Sequence, residues 1–460
     1  MSGVMGAATR EALKQIFGDR YSENSSVLAS HAGTEAHHEA APPDAVVWPR
    51  STPEVVEAVL TCARAGVPVI AHGNGSSLEG NTAAVSGGLC IDLTQMNRVL
   101  RVSVEDLDCT VQAGVPREQL NAEIRDSGLF FPIDPGANAT LGGMAATRAS
   151  GTNAVRYGTM RENVLNLTVV TPQGDVIRTA GRARKSSAGY DLTRLHVGSE
   201  GTLGVITEVS LRLHGRPESV RSATCRFPDP ISATRAATEA IQLGLPIARI
   251  EYLDEACIRA VNAFSNLQEA EADTLFLEFH GSTQSVQEQV ALFGEIANNN
   301  GGIDFRWAER DEDRNRLWAA RHSAYKAVVS RRAGCRGWAT DVCVPVSALP
   351  GSIAHAKSLL SQCTVPAAIM GHVGDGNFHV VFSVDTSSAS ELSQIAAIND
   401  ALVARALASE GTCTGEHGVG IGKMKYMNAE HGPALDIMRR IKAALDPRDI
   451  MNPGKIIPSI

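Results

Sequence analysis

The clustering of glycine in the first half of the chain constrains the fold more than any other feature of the sequence. Three glycine-dense stretches, residues 72–81, 134–158 and 196–213, each adjoin a segment with the pattern of a short β-strand. Glycine lets backbone N–H groups turn inward and approach a phosphate group closely. One tight turn needs only one or two glycines. Three such stretches therefore predict a backbone that wraps around one long ligand, and FAD has the required length.

The first of these stretches carries only a weak signal when it is taken alone. It reads HGNGSSLEGN and directly follows the apolar segment VPVIA. Ser76 and Ser77 can donate hydroxyl hydrogen bonds to a phosphate. The pattern matches neither the P-loop nor the dinucleotide fingerprint with an acidic residue about 20 positions further on. A purely structural turn explains this single loop slightly better than a cofactor site does.

The order of the predicted elements indicates at least two domains. Residues 45–71 predict a strand, a helix capped by Ser51 or Thr52, and a second strand. The segment NLTVVTPQGDVIRT (166–179) predicts a β-hairpin. After Pro217 long helices alternate with strands. This pattern is typical of helices that pack on a mostly antiparallel sheet, and it predicts a second domain.

Charge and cysteine usage exclude several classes of function. The net charge is −8 and like charges do not form blocks, which argues against a nucleic-acid surface. The nine cysteines contain no CxxC pair, so neither a zinc ribbon nor a cysteine-ligated iron–sulfur cluster is indicated, and a reducing compartment fits them. No signal-peptide pattern and no run of about 18 apolar residues occurs. We expect a cytoplasmic protein without a transmembrane span, which can still contact a membrane peripherally.

Two histidines flank a glycine-rich turn near the C-terminal end. The segment GHVGDGNFH (371–379) contains His372 and His379, and GDGN excludes a helix, so we expect strand, turn and strand with both imidazoles brought together. The segment GTCTGEHGVG adds Glu416 and His417. Two imidazoles and a carboxylate are a ligand set for Zn²⁺ or Mn²⁺. With 13 histidines in the chain, such a pair also arises by chance, so the spacing alone leaves both interpretations open. A further histidine cluster, in a polar alanine-rich segment, is interpreted as a solvated loop: His31, His37 and His38.

Six segments together resemble one flavoprotein family. They are GNGSSLEGN (73–81), FPIDPGANATLGGMAATRASGTNAVRYGTMRENV (131–164), VGSEGTLGVIT (197–207), GHVGDGNFH (371–379), GEHGVG (415–420) and LDPRDIMNPGK (445–455). In this order they are similar to the FAD-dependent D-2-hydroxy acid dehydrogenases, most of all to the cytochrome-type D-lactate dehydrogenases. That family belongs to the vanillyl-alcohol-oxidase, or PCMH-type, flavoprotein superfamily. The resemblance runs from about residue 40 to the C-terminus.

The resemblance implies an α+β fold with two principal domains. One is a two-lobed PCMH-type FAD-binding domain, and the other is a ferredoxin-like, antiparallel-sheet substrate or cap domain. The expected limits are 1–40 for an N-terminal helix and loop, 41–216 for the FAD-binding domain, 217–430 for the substrate domain with its metal site, and 431–460 for a C-terminal segment that returns to the FAD-binding domain.

The resemblance also implies which residues hold the cofactor. They come from the three glycine stretches and the terminal NPGK: His72, Gly73, Asn74, Gly75, Ser76, Ser77, Gly80, Pro135, Gly136, Leu141, Gly142, Gly143, Ser150, Gly151, Asn153, Tyr157, Glu200, Gly201, Gly204, Ile206 and Asn452. Some members of the superfamily attach the flavin covalently to a histidine of the first loop. The corresponding region here contains serine, so we expect FAD to be bound non-covalently.

The chemistry implied by the resemblance uses five side chains. The metal ligands match His372, His379 and Glu416, for a divalent ion that is Zn or Mn. His417 is then the base that takes the substrate's hydroxyl proton, since a neutral imidazole has a suitable pKa; the alternative is a structural hydrogen-bond donor. The substrate carboxylate matches Arg321, whose planar guanidinium suits a carboxylate.

The expected reaction is the FAD-dependent oxidation of D-lactate or a similar D-2-hydroxy monocarboxylic acid, with hydride passing to flavin N5. Relatives that oxidise D-2-hydroxyglutarate carry asparagine two positions after the second histidine. Here that position is Val381, which favours a monocarboxylic acid. The alternatives are a D-2-hydroxyglutarate dehydrogenase, a glycolate dehydrogenase flavoprotein subunit, or a non-catalytic flavin-binding subunit. We expect a cytochrome, quinone or electron-transfer flavoprotein as electron acceptor, no nucleic-acid partner, and a homodimer as the oligomeric state.

Overall fold

A computed structural model describes residues 5–33, 37–265, 268–308 and 311–458 of the chain. The chain divides into two compact units. The first unit combines Met1–Ser150, Gly158–Arg216 and Glu416–Ile460. The second unit consists of Gly151–Tyr157 and Pro217–Gly415.

The elements of both units follow one another along the chain. The strands are β1 Tyr21–Ser22, β2 Ala45–Val47, β3 Val69–His72, β4 Leu89–Asp92, β5 Val99–Ser103, β6 Asp108–Gln112, β7 Leu129–Phe130, β8 Val164–Val170, β9 Val176–Arg178, β10 Val205–Arg212, β11 His214–Gly215, β12 Ser219–Phe227, β13 Ile247–Leu253, β14 Asp273–Gly281, β15 Ile303–Trp307, β16 Arg336–Ala339, β17 Val342–Cys343, β18 Ala367–Gly371 and β19 Asn377–Val384. The helices are α1 Ala7–Phe17, α2 Ser25–Ser30, α3 Thr52–Ala65, α4 Arg117–Glu123, α5 Leu141–Thr147, α6 Ala154–Tyr157, α7 Met160–Asn163, α8 Leu192–His196, α9 Pro230–Gln242, α10 Glu255–Ser265, α11 Thr283–Asn299, α12 Asp311–His322, α13 Ala324–Val329, α14 Leu349–Leu360, α15 Ala389–Ala408, α16 Met427–His431 and α17 Ala434–Leu445.

A small sheet with parallel strands at its centre opens the first unit. Its strand order is β1-β2-β4-β3, and β2, β4 and β3 run parallel. Helix α3 connects β2 to β3, begins after Ser51 and ends at Gly66. The φ of Gly66 is +64°, a left-handed conformation that ends helices and favours glycine. The strand, helix and strand predicted for residues 45–71 are therefore confirmed.

The second sheet of the first unit is antiparallel, with the order β5-β6-β10-β8-β9. Strands β8 and β9 form the predicted hairpin, whose turn is closed by hydrogen bonds from Thr171 N–H to the Asp175 carbonyl and from Gly174 N–H to the Thr171 carbonyl, both of 2.9 Å. Side chains of both sheets, such as Val69 and Val209, pack into one hydrophobic core. This core supports the loops that leave the strand ends.

The end of the chain lies beside β3. Val69 N–H donates to the Ile450 carbonyl at 2.7 Å, and Asn452 N–H donates to the Val69 carbonyl at 2.8 Å. Met451 therefore pairs with Val69 as one further parallel bridge. This pairing places Asn452 next to the strand from which the first glycine stretch begins.

The second unit is built on an eight-stranded sheet. Its order is β15-β12-β14-β13-β18-β19-β16, β17 also pairs with β19, and the neighbouring strands are antiparallel. Apolar side chains of α10, α13 and Trp318 cover one face in a hydrophobic cluster. The prediction of helices on an antiparallel sheet, and with it the α+β class, is confirmed. Within the described ranges of both units, no helix has the length and apolarity that a membrane span requires.

One expectation about the N-terminal histidines is wrong. His31 is buried, its Nδ1 donates to the Val27 carbonyl at 2.8 Å, and its Nε2 donates to Asp92 Oδ2 at 3.1 Å. His37 and His38 are half-buried. The polar composition around His31 suggested exposure. Its partner Asp92 is 61 positions away, which local composition cannot reveal.

Gly114, shortly after β6, offers a test of how tightly the first unit is packed. A Cβ at this position would lie 2.0 Å from the Leu93 carbonyl oxygen and 2.9 Å from that of Met96. We expect Gly114→Ala to lower the free energy of unfolding by about 3 kcal/mol, because the backbone must shift, as measured by urea unfolding. Gly215→Ala is the control, since nothing lies within 4 Å of a Cβ there. Equal effects of the two substitutions would contradict the prediction.

Candidate active site

His72, the first residue of the first glycine stretch, is the last residue of β3 and is buried. Its Nδ1 has no hydrogen-bond partner among the described residues, and its ring centroid lies 4.6 Å from that of His31. Burial, together with the neighbouring charge of His31, lowers the pKa of His72 to about 4, so the ring is neutral at neutral pH. A buried ring nitrogen of this kind is suited to a hydrogen bond with a polar ligand.

The first and second glycine stretches lie against each other. Asn74 Nδ2 donates to the Asn138 carbonyl at 2.6 Å. A Cβ at Gly73 would lie 2.2 Å from Thr140 Oγ1, so a larger residue would require the Thr140 side chain to move. Gly75 is also in the left-handed region, with φ of +66°. The glycine at position 73 thus leaves space for the Thr140 side chain where the first and second stretches meet.

Not every predicted cofactor residue directs its backbone toward open space. The N–H groups of Leu141 and Gly142 donate to the carbonyls of Val115 and Ala113, at 2.9 and 2.8 Å. These two amides stabilise the protein itself. The remaining predicted cofactor residues of the first unit lie in the same three stretches, and their contacts with FAD stay predictions: Ser76, Ser77, Gly80, Pro135, Gly136, Gly143, Ser150, Gly201, Gly204 and Ile206.

The side chain of Asn452 joins the first and third glycine stretches. Its Nδ2 donates to the carbonyls of Asn81 and Glu200, at 2.9 and 2.7 Å. Its Oδ1 is buried and has no partner in the described part of the chain, and the same holds for Ser199 Oγ. Buried polar atoms normally have partners. With His72 Nδ1, these atoms come from three of the predicted cofactor segments, so the residues present fit a long polar ligand such as FAD.

The carboxylate of Glu200 holds the loop that follows His417. Its Oε1 accepts the N–H of Val419 at 2.7 Å, and its Oε2 accepts the N–H of Gly420 at 2.9 Å and Nδ2 of Asn81 at 2.7 Å. Burial raises the pKa of Glu200 to about 7, although these donors favour the charged form. The side chain predicted to contact FAD is therefore engaged with the loop of the predicted base.

A second buried carboxylate, Glu79, lies beside the predicted base. His417 Nδ1 is 3.8 Å from Glu79 Oε1, Lys423 Nζ is 3.9 Å from the same oxygen, and His38 Nε2 is 3.7 Å from Oε2. Burial by itself disfavours the charged carboxylate, but the positive charge of Lys423 and the two histidines lower the pKa of Glu79 to about 2. Glu79 is thus a negative charge within reach of His417 at every physiological pH.

In the second unit, the turn between β18 and β19 brings His372 and His379 together. Their ring centroids are 5.6 Å apart and their planes are inclined by 83°. Asp375 N–H donates to the His372 carbonyl at 3.0 Å and closes the turn. Gly376 has φ of +79°, and a Cβ there would lie 2.0 Å from the Val344 carbonyl oxygen. The expected sequence of strand, turn and strand is therefore present, and the turn overcomes the odd spacing of the two rings.

The Nδ1 atom of each ring faces an acceptor. His372 Nδ1 donates to Glu251 Oε1 at 2.7 Å, and His379 Nδ1 donates to the Thr340 carbonyl at 3.0 Å. An imidazole that donates from Nδ1 carries its lone pair on Nε2 when it is neutral. This is the arrangement that protein partners impose on metal-ligating histidines. The two rings therefore fit a divalent metal ion.

Arg321, on α12, is buried and bound to the same carboxylate. Its Nε and Nη2 donate to Glu251 Oε2 at 2.9 and 2.5 Å. Burial opposes the charge of Glu251, but His372 and Arg321 outweigh it and lower the pKa of this carboxyl. The predicted substrate arginine and one predicted metal ligand therefore share a single partner.

Asp341 fixes the segment that leads to Glu416. Its Oδ2 accepts Thr414 Oγ1 and Gly415 N–H, both at 2.7 Å, and its Oδ1 accepts Asn377 Nδ2 at 2.8 Å. Glu416 is the first residue of the segment Glu416–Ile460, which belongs to the other unit. Its role as third metal ligand stays a prediction.

Three predicted cofactor residues belong to the second unit, namely Gly151, Asn153 and Tyr157. Asn153 Oδ1 accepts Arg249 Nε at 3.0 Å, and the Tyr157 hydroxyl bonds His280 Nδ1 at 2.8 Å. Both side chains are held by their own unit. Their contact with FAD stays a prediction.

Four further residues of the site are absent from the predicted set, although Glu79 and Ser199 lie within the quoted segments GNGSSLEGN and VGSEGTLGVIT. They are Glu79, Ser199, Glu251 and Asp341. Glu251 and Asp341 are single acids within apolar segments, RIEYL and TDVCV. An isolated charge in a buried strand requires a partner, so a search for such charges would find both.

Two family models match the chain. The model described as "FAD linked oxidases, C-terminal domain" matches residues 216–456. The model described as "FAD binding domain" matches residues 43–180. Together they cover most of both units.

Curated relatives match over most of their length. The probable mitochondrial D-lactate dehydrogenase of Danio rerio is 51% identical over 449 residues, 96% of this chain and 90% of the relative. The mitochondrial D-lactate dehydrogenase [cytochrome] of Arabidopsis thaliana is 47% identical over 90% of this chain and 74% of the relative. The glycolate oxidase subunit GlcD of Bacillus subtilis is 32% identical over 90% of this chain and 89% of the relative.

Solved structures share the fold. A p-cresol methylhydroxylase with substrate bound superposes with a TM-score of 0.78 at 17% identity, covering 98% of this chain and 96% of that one. A 4-ethylphenol oxidase of Gulosibacter chungangensis gives a TM-score of 0.81 at 16% identity, with 98% and 97% coverage. At this identity the likeness concerns the fold alone.

Glu79 makes the stability of the first unit depend on pH. Its pKa falls from an ordinary 4.5 to about 2 on folding. The stabilisation, about 3 kcal/mol, is therefore complete above pH 5 and is lost as pH falls from about 4.5 towards 2. We expect Glu79→Gln to be less stable than wild type at pH 7, with the difference shrinking on acidification, in unfolding curves recorded from pH 7 to 3. Exposed Glu105→Gln is the control. A difference that stays constant over this range would refute the assignment.

Proposed function

The chain belongs to the FAD-linked oxidases, and we propose that within this family it oxidises D-lactate or a similar D-2-hydroxy monocarboxylic acid to the 2-oxo acid. The observation that carries the proposal is the His372–His379 pair, whose Nδ1 atoms are held by acceptors while Arg321 shares the partner of His372. This set offers a metal site for the hydroxyl group of a 2-hydroxy acid and an arginine for its carboxylate. The names of the two relatives at 51% and 47% identity support D-lactate as the substrate.

FAD binding is assigned to the segments whose buried polar atoms lack partners, around His72, Ser199 and Asn452. When bound there non-covalently, FAD supplies the acceptor for the hydride from the substrate's Cα. A cytochrome, a quinone or an electron-transfer flavoprotein would accept the two electrons. Because residues 73 and 75 are glycines, no side chain at these positions blocks the approach of FAD to the first loop.

The metal site is assigned to His372 and His379, with Glu416 as the third ligand. A divalent ion, Zn²⁺ or Mn²⁺, supplies a Lewis acid that lowers the pKa of the substrate hydroxyl. The two histidines hold their Nε2 lone pairs for such an ion because Glu251 and Thr340 accept from Nδ1.

His417 is assigned as the base for the hydroxyl proton. Proton uptake at its Nε2 creates an imidazolium, and the charge of Glu79 at 3.8 Å from Nδ1 favours that product. Glu200 holds the backbone two and three residues further on. Glu200 thus holds the segment that carries the ring, and Glu79 favours its protonated state.

Arg321 is assigned to the substrate carboxylate. Its Nε and Nη2 donate to Glu251, which orients the guanidinium plane. The Nη1 side of the group then presents donors to a planar anion. Glu251 balances the arginine's charge before the substrate arrives.

Val381 is assigned as the residue that limits the substrate to a small monocarboxylic acid. This side chain lies in the apolar cluster with Leu253, Met370 and Trp318. An apolar environment suits the methyl group of lactate and disfavours a second carboxylate. Glycolate is the second candidate, favoured by the 32% identity to the glycolate oxidase subunit.

A cytoplasmic location and a homodimer stay predictions, and two relatives carry the word mitochondrial in their names.

The reaction is tested by anaerobic mixing of the holoprotein with D-lactate and, separately, L-lactate. We expect D-lactate alone to bleach the flavin absorbance near 450 nm. Chelation should slow bleaching by about 100-fold or more, because the hydroxyl then lacks its Lewis acid, and added metal should restore it. The rate of bleaching in stopped flow is the measurement.

His417→Gln is the matched variant for this experiment. It should keep the flavin colour and bleach about 10²- to 10⁴-fold more slowly, since only the base is removed. Bleaching by glycolate but not by D-lactate would favour the second candidate. A flavin that no hydroxy acid bleaches would remove the catalytic assignment and favour a non-catalytic flavin-binding subunit.

Val381→Asn tests the assigned substrate class. We expect the ratio of kcat/KM for D-lactate to that for D-2-hydroxyglutarate to fall by about tenfold, because the amide can donate to a second carboxylate. Val381→Ala is the control, since it changes size without adding a donor. An unchanged ratio in Val381→Asn, with FAD content retained, would show that this position does not select the substrate.

A further inference from the structure

We propose that Glu251 is a positioning residue that sets the metal ligand His372 and the substrate arginine Arg321 in a fixed relation to each other. The inference rests on the proposed function, since it assumes the metal and substrate roles of those two side chains. It adds Glu251 as the residue that binds both of these side chains and fixes their orientations.

The geometry divides the carboxylate of Glu251 between its two partners. Oε1 accepts from His372 Nδ1 at 2.7 Å, and Oε2 accepts from Arg321 Nε and Nη2 at 2.9 and 2.5 Å. Only 1% of Glu251 is exposed, so water does not compete for either oxygen. Each oxygen therefore serves one partner, and neither partner can turn without losing a bond to a charged group.

Packing does not account for a carboxylate at this position. Glu251 lies on β13 between Ile250 and Tyr252, which are buried. Burying an ionised carboxylate is unfavourable unless donors surround it, and an apolar side chain of similar size often gives the same stability or more. A simple ion pair would need only Arg321. The second oxygen bonds a histidine that already stands at a turn of the candidate site.

The consequence for His372 concerns its tautomer and the orientation of its ring. Donation from Nδ1 to a carboxylate places the lone pair on Nε2 and increases the ring's basicity toward a metal. The consequence for Arg321 concerns its plane. The Nε edge is bonded to Glu251, so the guanidinium meets a substrate from a fixed direction.

A similar cluster on the neighbouring strand provides an internal comparison. Glu278, on β14, accepts from His280 Nε2 at 2.8 Å and from Ser222 Oγ at 3.1 Å, with Arg249 Nε 3.5 Å away. It has the same residue types and similar burial, but its hydrogen-bond partners are His280 and Ser222 and not a proposed metal ligand. Glu278→Gln therefore reproduces the loss of a buried carboxylate without touching the proposed ligands.

The experiment measures Zn²⁺ affinity and substrate KM separately. FAD-loaded protein is freed of metal by chelation and titrated with Zn²⁺ alone against a chromophoric competitor, for wild type, Glu251→Gln, Glu251→Asp and Glu278→Gln. We expect Glu251→Gln to weaken Zn²⁺ binding by about 10- to 100-fold. With saturating Zn²⁺, its KM for D-lactate should still be raised by about tenfold, because Arg321 is no longer oriented. Glu278→Gln should bind Zn²⁺ as wild type does.

The outcomes separate this inference from the proposed function. If wild type binds Zn²⁺ and His372→Ala does not, but Glu251→Gln binds it with wild-type affinity, the positioning role is overturned while the metal site stands. If wild type binds no Zn²⁺, the metal assignment and the inference fall together. If Glu251→Gln does not fold, Glu251→Asp is used instead. This variant keeps the negative charge but moves the carboxylate oxygens away from His372 and Arg321. Wild-type affinity and KM in that variant would overturn the positioning role.

Discussion

A carboxylate that is buried away from water must be given hydrogen-bond donors, and the candidate site is organised around that requirement. Glu200 receives backbone N–H groups of the loop after His417. Asp341 receives donors from the two residues before Glu416. Glu251 receives a histidine and an arginine side chain. Glu200 and Asp341 thus determine where segments without regular secondary structure must run, and Glu251 joins a turn residue to a helix residue.

Glycine provides the space in which these carboxylates reach the backbone. A Cβ at Gly418 would lie 2.7 Å from Glu200 Oε1, and one at Gly415 would lie 2.2 Å from Asn377 Nδ2. Larger residues would push the loop away from its acceptors and leave buried donors unsatisfied, which costs about 1–3 kcal/mol for each group. Gly418 is therefore required by the Glu200 carboxylate as well as by its own left-handed backbone conformation, with φ of +79°.

The extent to which sequence predicts this site follows from the distance over which each interaction acts. The helix between β2 and β3, the hairpin of β8 and β9, and the turn between His372 and His379 depend on neighbours in the chain, and local patterns predicted all three. The acceptors of the site do not. Glu200 and Val419 are 219 positions apart, and Glu251 and His372 are 121 apart. The expectation of a solvated His31 is wrong for the same reason, because no local pattern contains Asp92. An acid within an apolar strand predicts that a partner exists, but not which one.

The predicted ligand Glu416 and the predicted base His417 are adjacent in a segment that must be held in one conformation. The entropy cost of ordering this segment can be compared with the hydrogen bonds that flank it. Ordering a residue costs about 1–2 kcal/mol of backbone entropy, so residues 414–420 cost about 7–14 kcal/mol to hold in one conformation. Hydrogen bonds to charged groups contribute about 1.5–3 kcal/mol each. Four of them, two to Asp341 before the dipeptide and two to Glu200 after it, contribute about 6–12 kcal/mol. The two sums are comparable, so neither anchor suffices alone. A buried carboxylate at each end therefore helps a short glycine-rich segment to hold two chemically different groups in place.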